Sequence, residues 1–444
     1  MNKAAAVEEP SIKQRIRRFF DKKETVKEAV VKSSGINFLT RFVGYLKYLC
    51  IAVFIGFNRE TDAFFMASGL LGMFMVFVDV FDSVGVPNLV RAKKQSEEEF
   101  RHLASNLFAL TLILGVLVTL GALLASPFIA RIAFGFSAHR QTYVRIFFLI
   151  LIPELFFAFL FHHFGAILRS DRKFTIFFVG QFIFGTVSTL TLFLTLPFFH
   201  QVWIIPASFS LAQIAAAIFI AYYAREHFHV KLEWNEQTKN MVKQIGFLSC
   251  LYALMPLYTL ADNAFASYLP QKTISALNYG MMIALVPASI LQFSVIAITP
   301  LSEQEADWGK LKQYLRFLIL FSLPVIVGSW LFITPVLKLF MGYGRFSSID
   351  LGLTAEAVRY YSLILPFALG LGVLYRAYQI KNRYLPLILF SISGAISNVV
   401  CKDYFIFHLH LAIRGIAIST LIGYILIYGG SYWYLRGITR VSAK

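Results

Sequence analysis

From residue 35 to residue 435 the chain alternates long apolar runs with short polar connections. A run of about 20 apolar residues is what an α-helix needs to cross the hydrocarbon core of a bilayer. Twelve such spans are predicted, at about 35–57, 61–88, 104–130, 143–168, 174–197, 202–224, 243–268, 273–299, 313–340, 355–378, 384–406 and 411–435. Strict apolar–polar alternation, the mark of a transmembrane β-barrel, is absent. The connections are too short to hold a soluble catalytic domain. The predicted fold class is an all-α polytopic membrane protein.

The two halves of the chain echo each other at a nearly constant offset. VRIFFLILIP (144–153) parallels VRYYSLILP (358–366), with Arg145 and Arg359 214 positions apart and Pro153 and Pro366 213 apart. GVPNLV and ITPLSE place Pro87 and Pro300 213 apart, and ASPFIARIAFG matches ITPVLKLFMGYG through Pro127 and Pro335. Six spans fit in one offset, an even number, so both copies enter the membrane in the same direction. The expectation is two parallel six-helix lobes related by a pseudo-twofold axis along the membrane normal. Transporters of this plan hold their site between the lobes near the midplane, although repeats also occur in membrane proteins that transport nothing. The expected boundaries are a basic N-terminal segment at 1–33, a first lobe at 34–224, a linker at 225–242, a second lobe at 243–436 and a tail at 437–444.

Composition agrees with the span count: 58% of the 444 residues are hydrophobic, 15% are charged, and the mean hydropathy is +0.66. Soluble domains are about 25% charged. The net charge of +17 raises nucleic acid as a partner, but the placement of that charge argues against it. Of 41 Lys and Arg residues, 29 fall in the N-terminal segment, the even-numbered connections and the C-terminus, against 10 on the opposite side. The bias puts both termini in the cytosol and reads as topology plus attraction to anionic headgroups. Residues 1–33 read as a polar cytosolic segment rather than a cleavable signal peptide. Cys50, Cys250 and Cys401 lie far apart in apolar runs, with no disulfide framework or metal spacing.

The informative exceptions are polar residues inside spans. Lys47 lies about 18 Å into the first span, too deep to snorkel easily. A cation there costs about 2.5–3.5 kcal/mol unless it faces a wet cavity or an anion. Arg41, about 9 Å in, either reaches the headgroups or faces the same cavity. Thr61 stands at an N-cap-like position before Asp62, which either stabilises the start of its helix or serves function. Asp79 and Asp82 lie deeper in the second span, able to pair with Lys47 or Arg41, and Glu154 follows Pro153 in the fourth. His162 and His163 have no partner at metal spacing and are expected to line a cavity or make a core hydrogen bond. Asp262, Asn398 and Thr420 offer oxygens that suit a small hard cation. Lys402, four residues after Asn398, either supplies that charge itself or, with Asp403, faces water at the outer end.

Several stretches resemble the MurJ/MviN family of lipid II flippases, within the multidrug/oligosaccharidyl-lipid/polysaccharide exporter superfamily. They are LTRFVGYLKYLCIAVFIGFNRETDAFFMA, LADNAFASYLPQKTISALNYG and YGRFSSIDLGLTAEAVRYYSLILP, with RSDRKF after the fourth span and AISNVV in the eleventh. The resemblance implies a bacterial inner-membrane protein that exports a polyprenyl-pyrophosphate-linked sugar by alternating access, with no catalytic residues. It makes Arg41 and Lys47 the cations for the pyrophosphate and matches Asp62 to the aspartate of the TDAFF motif; Asp79 and Glu154, from their place inside spans, are further substrate-site candidates. Asp262, Asn398 and Thr420 resemble a sodium site, so a sodium ion or the membrane potential would drive the cycle. The chain departs from the family pattern at Tyr48, Met75–Val76, Met282 and Lys402, where an acid, arginines and an acidic sodium ligand are expected. Family helices 13 and 14 have no counterpart before Lys444, which raises a membrane partner that replaces them.

Other readings stay open. One is a superfamily exporter of another lipid-linked oligosaccharide or an amphipathic solute. Another is a non-transporting divergent homologue. A polyprenyl-carrier glycosyltransferase would need outer-loop acids or a metal site, and the short outer connections lack one.

Overall fold

A computed structural model of the chain describes residues 26–227, 229–291, 307–381 and 383–441. All regular structure in this set is helical. The first half consists of α1 (Val26–Phe54), α2 (Arg59–Gln95), α3 (Glu97–Ile129), α4 (Ala138–Ser170), α5 (Phe174–Phe199) and α6 (Ile204–Ala224). Pro87, Pro127 and Pro153 lie inside these helices without ending them.

The second half is broken in three places. It contains α7 (Glu236–Tyr252) and α8 (Leu254–Ala266), α9 (Thr273–Ala284) and α10 (Val286–Leu291), then α11 (Trp308–Met341). After these come α12 (Ser348–Ser362) and α13 (Leu365–Ile380), then α14 (Tyr384–Asp403) and α15 (Ala412–Val441). Pro256, Pro287 and Pro366 each sit in the first turn of the helix that follows a break. A proline there loses no needed amide hydrogen, and its ring blocks continuation of the preceding helix. The bend between α12 and α13 is 46°.

Among the described residues, nine helices are long and apolar enough to cross a bilayer, ten with α12–α13 taken as one span. The two remaining predicted spans are the broken pairs α7–α8 and α9–α10, and the latter runs on into residues outside the described set. Pro300, one member of the GVPNLV/ITPLSE match, and most of the N-terminal segment also lie outside it.

Packing partners recur between the halves. In the first, α2 packs on α4, α1 on α5, α4 on α6 and α5 on α6; in the second, α9 packs on α12, α8 on α14, α12 on α15 and α14 on α15. The halves meet chiefly along α2, which runs beside α7, α8 and α9, and where α1 touches α11. Outer faces such as Leu120, Leu124 and Phe128 on α3 and Leu320, Leu331 and Phe332 on α11 are exposed and apolar, as acyl-chain contact requires. Burial from lipid gives helices little hydrophobic gain, so close packing and polar contacts must hold them together.

Candidate functional site

Two cavities lie along the meeting of the halves. The larger, about 790 Å³, is lined from both sides: Ser68, Gly72 and Asp79 of α2, Tyr252 and Thr259 of α7–α8, Asn278 of α9, and Tyr375 and Arg376 of α13. The smaller, about 540 Å³, opens beside α1 and α5 and is lined by Asn37, Arg41, Tyr45, Lys47, His162, Gln181, Gln213 and Ser289. Tyr48, Met281 and Met282 line both, so they form a neck between the two. The resemblance leads one to expect an arginine at Met282; instead the neck is apolar.

Lys47 points inward. It is 6% exposed, and its Nζ lies 3.9 Å from the ring centre of Phe209, 5.2 Å from Phe184 and 5.3 Å from Tyr48. Desolvated cation–π contact is worth about 2 kcal/mol, less than the cost of a buried bare charge. Glu154 lies near enough for its field to reach Lys47, yet the two make no direct ion pair. Arg41, exposed, lines the same cavity. Asp79 lines the other cavity with Arg376, so the pairing of Asp79 with Lys47 or Arg41 is replaced by a shared cavity with a different cation. Arg376 lies inside α13, which extends to Ile380. The Asp82 side chain lies outside the described residues.

Asp62 lines neither cavity. It is 1% exposed and accepts hydrogen bonds from the backbone N–H of Lys272 (2.7 Å) and Ser275 (2.9 Å) and from the Ser275 hydroxyl (2.7 Å), with Arg140 at 3.4 Å. The N-cap-like reading of Thr61 is corrected, since Thr61 stands at N3 of a capping box, while Asp62 keeps its place in the acidic first turn of its own helix. Asn58 caps α2, accepting from Glu60 and Thr61, while Asp62 caps α9 in the other half. A carboxylate at a helix N-terminus meets orphan N–H groups and the positive dipole end. The same end of the molecule carries reciprocal contacts. The end of α1 meets the loop after α11 (Arg345 N–H to Val53 C=O, 2.8 Å), and the end of α8 meets the loop after α3 (Gly135 N–H to the Ser267 hydroxyl, 2.9 Å). Gly56 (φ +69°) and Gly344 (φ +65°) hold this joint, where a Cβ on either would collide with the facing backbone. Below it, Tyr279 packs against Phe57, Phe65 and Tyr48 and donates to the Tyr48 carbonyl (2.7 Å). Tyr48, Phe65 and Tyr279 line the larger cavity. Towards the opposite end the halves touch through the Ser83 and Tyr252 hydroxyls, 3.0 Å apart.

Asp262, Asn398 and Thr420 come together, and Lys402 sits among them. Lys402 is 0% exposed, and its Nζ lies 2.6 Å from Asp262 Oδ1 and donates to Asn398 Oδ1. Thr420 donates to Asp262 Oδ1 (2.8 Å), Asn398 Nδ2 donates to Thr420 Oγ1 (3.0 Å), and Tyr361 donates to Asp262 Oδ2 (2.6 Å). The reading of Lys402 as an outer-end residue facing water is overturned: Asp403 is exposed, but Lys402 turns inward to Asp262, 140 positions away in the chain. The sodium ion implied by the resemblance does not fit this arrangement, because an ammonium already engages the carboxylate and the amide oxygen.

The remaining candidates separate. His163 is buried, stacks on Phe108 and shares a hydrogen bond with Thr111 (3.2 Å), a core role, while His162 lines the smaller cavity. Among the described residues no group of three or more His, Cys, Asp or Glu side chains is placed to hold a metal. Sequence reasoning missed Arg376, Tyr361, Ser275 and two of the rings around Lys47, Phe184 and Phe209. Only Ser275 left a trace, standing 213 positions from Asp62 at the repeat offset.

The family model described as lipid II flippase MurJ matches residues 51–441. A probable lipid II flippase MurJ of Buchnera aphidicola subsp. Baizongia pistaciae is 24% identical over 434 residues, covering 90% of this chain and 82% of the relative. The lipid II flippase MurJ of Thermosipho africanus is 25% identical over 400 residues, covering 88% and 82%. Among solved structures, lipid II flippase MurJ in an inward closed conformation superposes with a TM-score of 0.78 at 20% identity, over 91% of this chain and 87% of that one. An inward-facing multidrug resistance MATE family transporter gives 0.72 at 15% identity, over 92% and 98%. The match across most of the chain, on an all-helical membrane fold of the same shape, places this protein in the MurJ lipid II flippase family.

Proposed function

We propose that this chain is a lipid II-type flippase, moving a polyprenyl-pyrophosphate-linked glycan from the inner to the outer leaflet of a bacterial cytoplasmic membrane. The observation that carries the reading is Lys47: a buried cation with no direct ion pair, at the wall of a cavity beside the meeting of the halves that Arg41, Gln181 and Gln213 also line. A pyrophosphate cannot enter hydrocarbon unaided, and a desolvated ammonium offsets its charge through short, charge-assisted hydrogen bonds. Lys47 and Arg41 bind the diphosphate in this scheme, and Arg376 in the adjoining cavity adds a third cation. The Asp62 end is the outer gate. Its bonds to Lys272 and Ser275 hold the halves closed there while cargo loads from the opposite side, and they part when the lobes rock. The membrane potential acting on the charged cargo supplies drive. Both termini lie in the cytosol, as the basic connections favour.

The test is a flipping assay in reconstituted vesicles with a fluorescent polyprenyl-pyrophosphate glycan. Lys47→Ala with Arg41→Ala is expected to lose at least about tenfold in rate, the worth of one charge-assisted contact. Unchanged flipping by the double variant removes the anion-site reading. Efflux of an amphipathic cation in the same vesicles, without glycan flipping, turns the reading towards a drug exporter.

A further inference from the structure

The second half contains a charged cluster that the flippase scheme does not use. Asp262 on α8 and Lys402 on α14 form an ion pair in the protein interior, with Asn398, Thr420 and Tyr361 completing the hydrogen bonds. The matching helix pair of the first half, α1–α5, meets instead through the Thr189 hydroxyl and the Val43 carbonyl at 3.1 Å, and α5 contains no charged residue. The ion pair is therefore a feature of the second half alone.

We propose that the Lys402 ammonium is a tethered cation that permanently fills the oxygen cluster of Asp262, Asn398 and Thr420, so that this half works with no sodium bound there. Oxygens of a carboxylate, an amide and a hydroxyl converging in a dry interior are the donor set of a small hard cation. Here each is already committed. Both carboxylate oxygens of Asp262 are engaged, Asn398 accepts from Lys402 and donates to Thr420, and the Thr420 hydroxyl donates to Asp262. A second positive charge would have to displace an ammonium whose stem is anchored four residues from Asn398 on the same helix. A covalent tether gives that ammonium a high local concentration whatever the sodium level outside. The cluster is neutral as it stands, so no cation need enter or leave it during a cycle. The inference deepens the flippase reading and its bearing on transport rests there, but the test below uses no cargo, so the two fail separately.

Melting temperatures of the purified protein are measured in sodium, lithium and choline chloride at equal ionic strength. The wild type is expected to melt at the same temperature in all three. Lys402→Ala, which leaves Asp262 charged and opens a cation-sized space, is expected to melt about 5–10 °C lower in choline. Sodium or lithium is expected to recover at least half of that loss with a saturable dependence, and adding Asp262→Asn to abolish the recovery. Lys402→Ser is the second variant, with the same expected rescue. Saturable stabilisation of the wild type by sodium, lost in Asp262→Asn, overturns the proposal. So does a Lys402→Ala or Lys402→Ser protein that melts at one temperature in every salt. The wild-type arm stands even if neither variant folds.

Discussion

Lys47 and Lys402 are both buried lysines in membrane helices, yet their surroundings are opposite. Lys402 is enclosed by a carboxylate, an amide and the helices that carry them, and it is neutralised. Lys47 is held by three aromatic rings at a cavity wall, with no carboxylate in contact. A ring quadrupole holds an ammonium in place without consuming its charge, whereas a carboxylate consumes it. The first arrangement leaves affinity for an incoming anion and the second leaves none. The same residue type therefore fits a binding role in one half and a structural role in the other.

The largest effect that can break this contrast is on stability. Lys402→Met is expected to cost about 3–5 kcal/mol by leaving Asp262 buried and unpaired, whereas Lys47→Met, which breaks no direct ion pair and removes only the field of Lys47 on buried Glu154, is expected to cost less. Paired thermal melts check it, and equal losses at both sites would mean that Lys47 is paired after all. Next comes the joint between the halves. Asp62→Ala removes the acceptor for the Lys272 and Ser275 amides and is expected to cost about 1–3 kcal/mol, with faster hydrogen exchange at the start of α9 and unchanged exchange in α14. Uniformly faster exchange would make Asp62 a general stability residue rather than a latch.

The smallest effect comes from a charge pair left in water. Glu233, in the connection between α6 and α7, is pulled down to about 2 by hydrogen bonds from Lys231 and then His102. A depressed carboxylate stabilises the fold above its ordinary range and loses that contribution as pH falls through the lowered value. From about pH 5 to 8 Glu233 itself stays ionised, and solvent screens its contribution. Glu233→Gln is accordingly expected to leave the melting temperature unchanged in that window, the exposed counterpart to Lys402→Met.

Much of the fold was legible because the bilayer imposes it. Every backbone polar group must be bonded within its own segment, so long apolar runs read directly as helices. The depth of Lys47 was legible for the same reason, since a rise of about 1.5 Å per residue converts position into depth. The repeat offset was legible from Arg145–Arg359 and Pro153–Pro366. Less legible were the breaks. Pro153 lies within a continuous α4, while Pro366, its counterpart, opens α13 after a bend. A proline permits a break, and the neighbouring helices decide whether one forms.

The sequence alone determined that the chain is a bundle of membrane helices in two echoing halves, with a cation too deep to ignore, because hydropathy and helical rise are properties of a segment. Tertiary structure decided what each polar residue does. It turned Asp62 away from its own helix to cap α9, brought Arg376 to a cavity, and closed Lys402 onto Asp262. Those outcomes depend on which side chains from distant segments share a dry space, where an unmatched charge is costly and a matched one is silent.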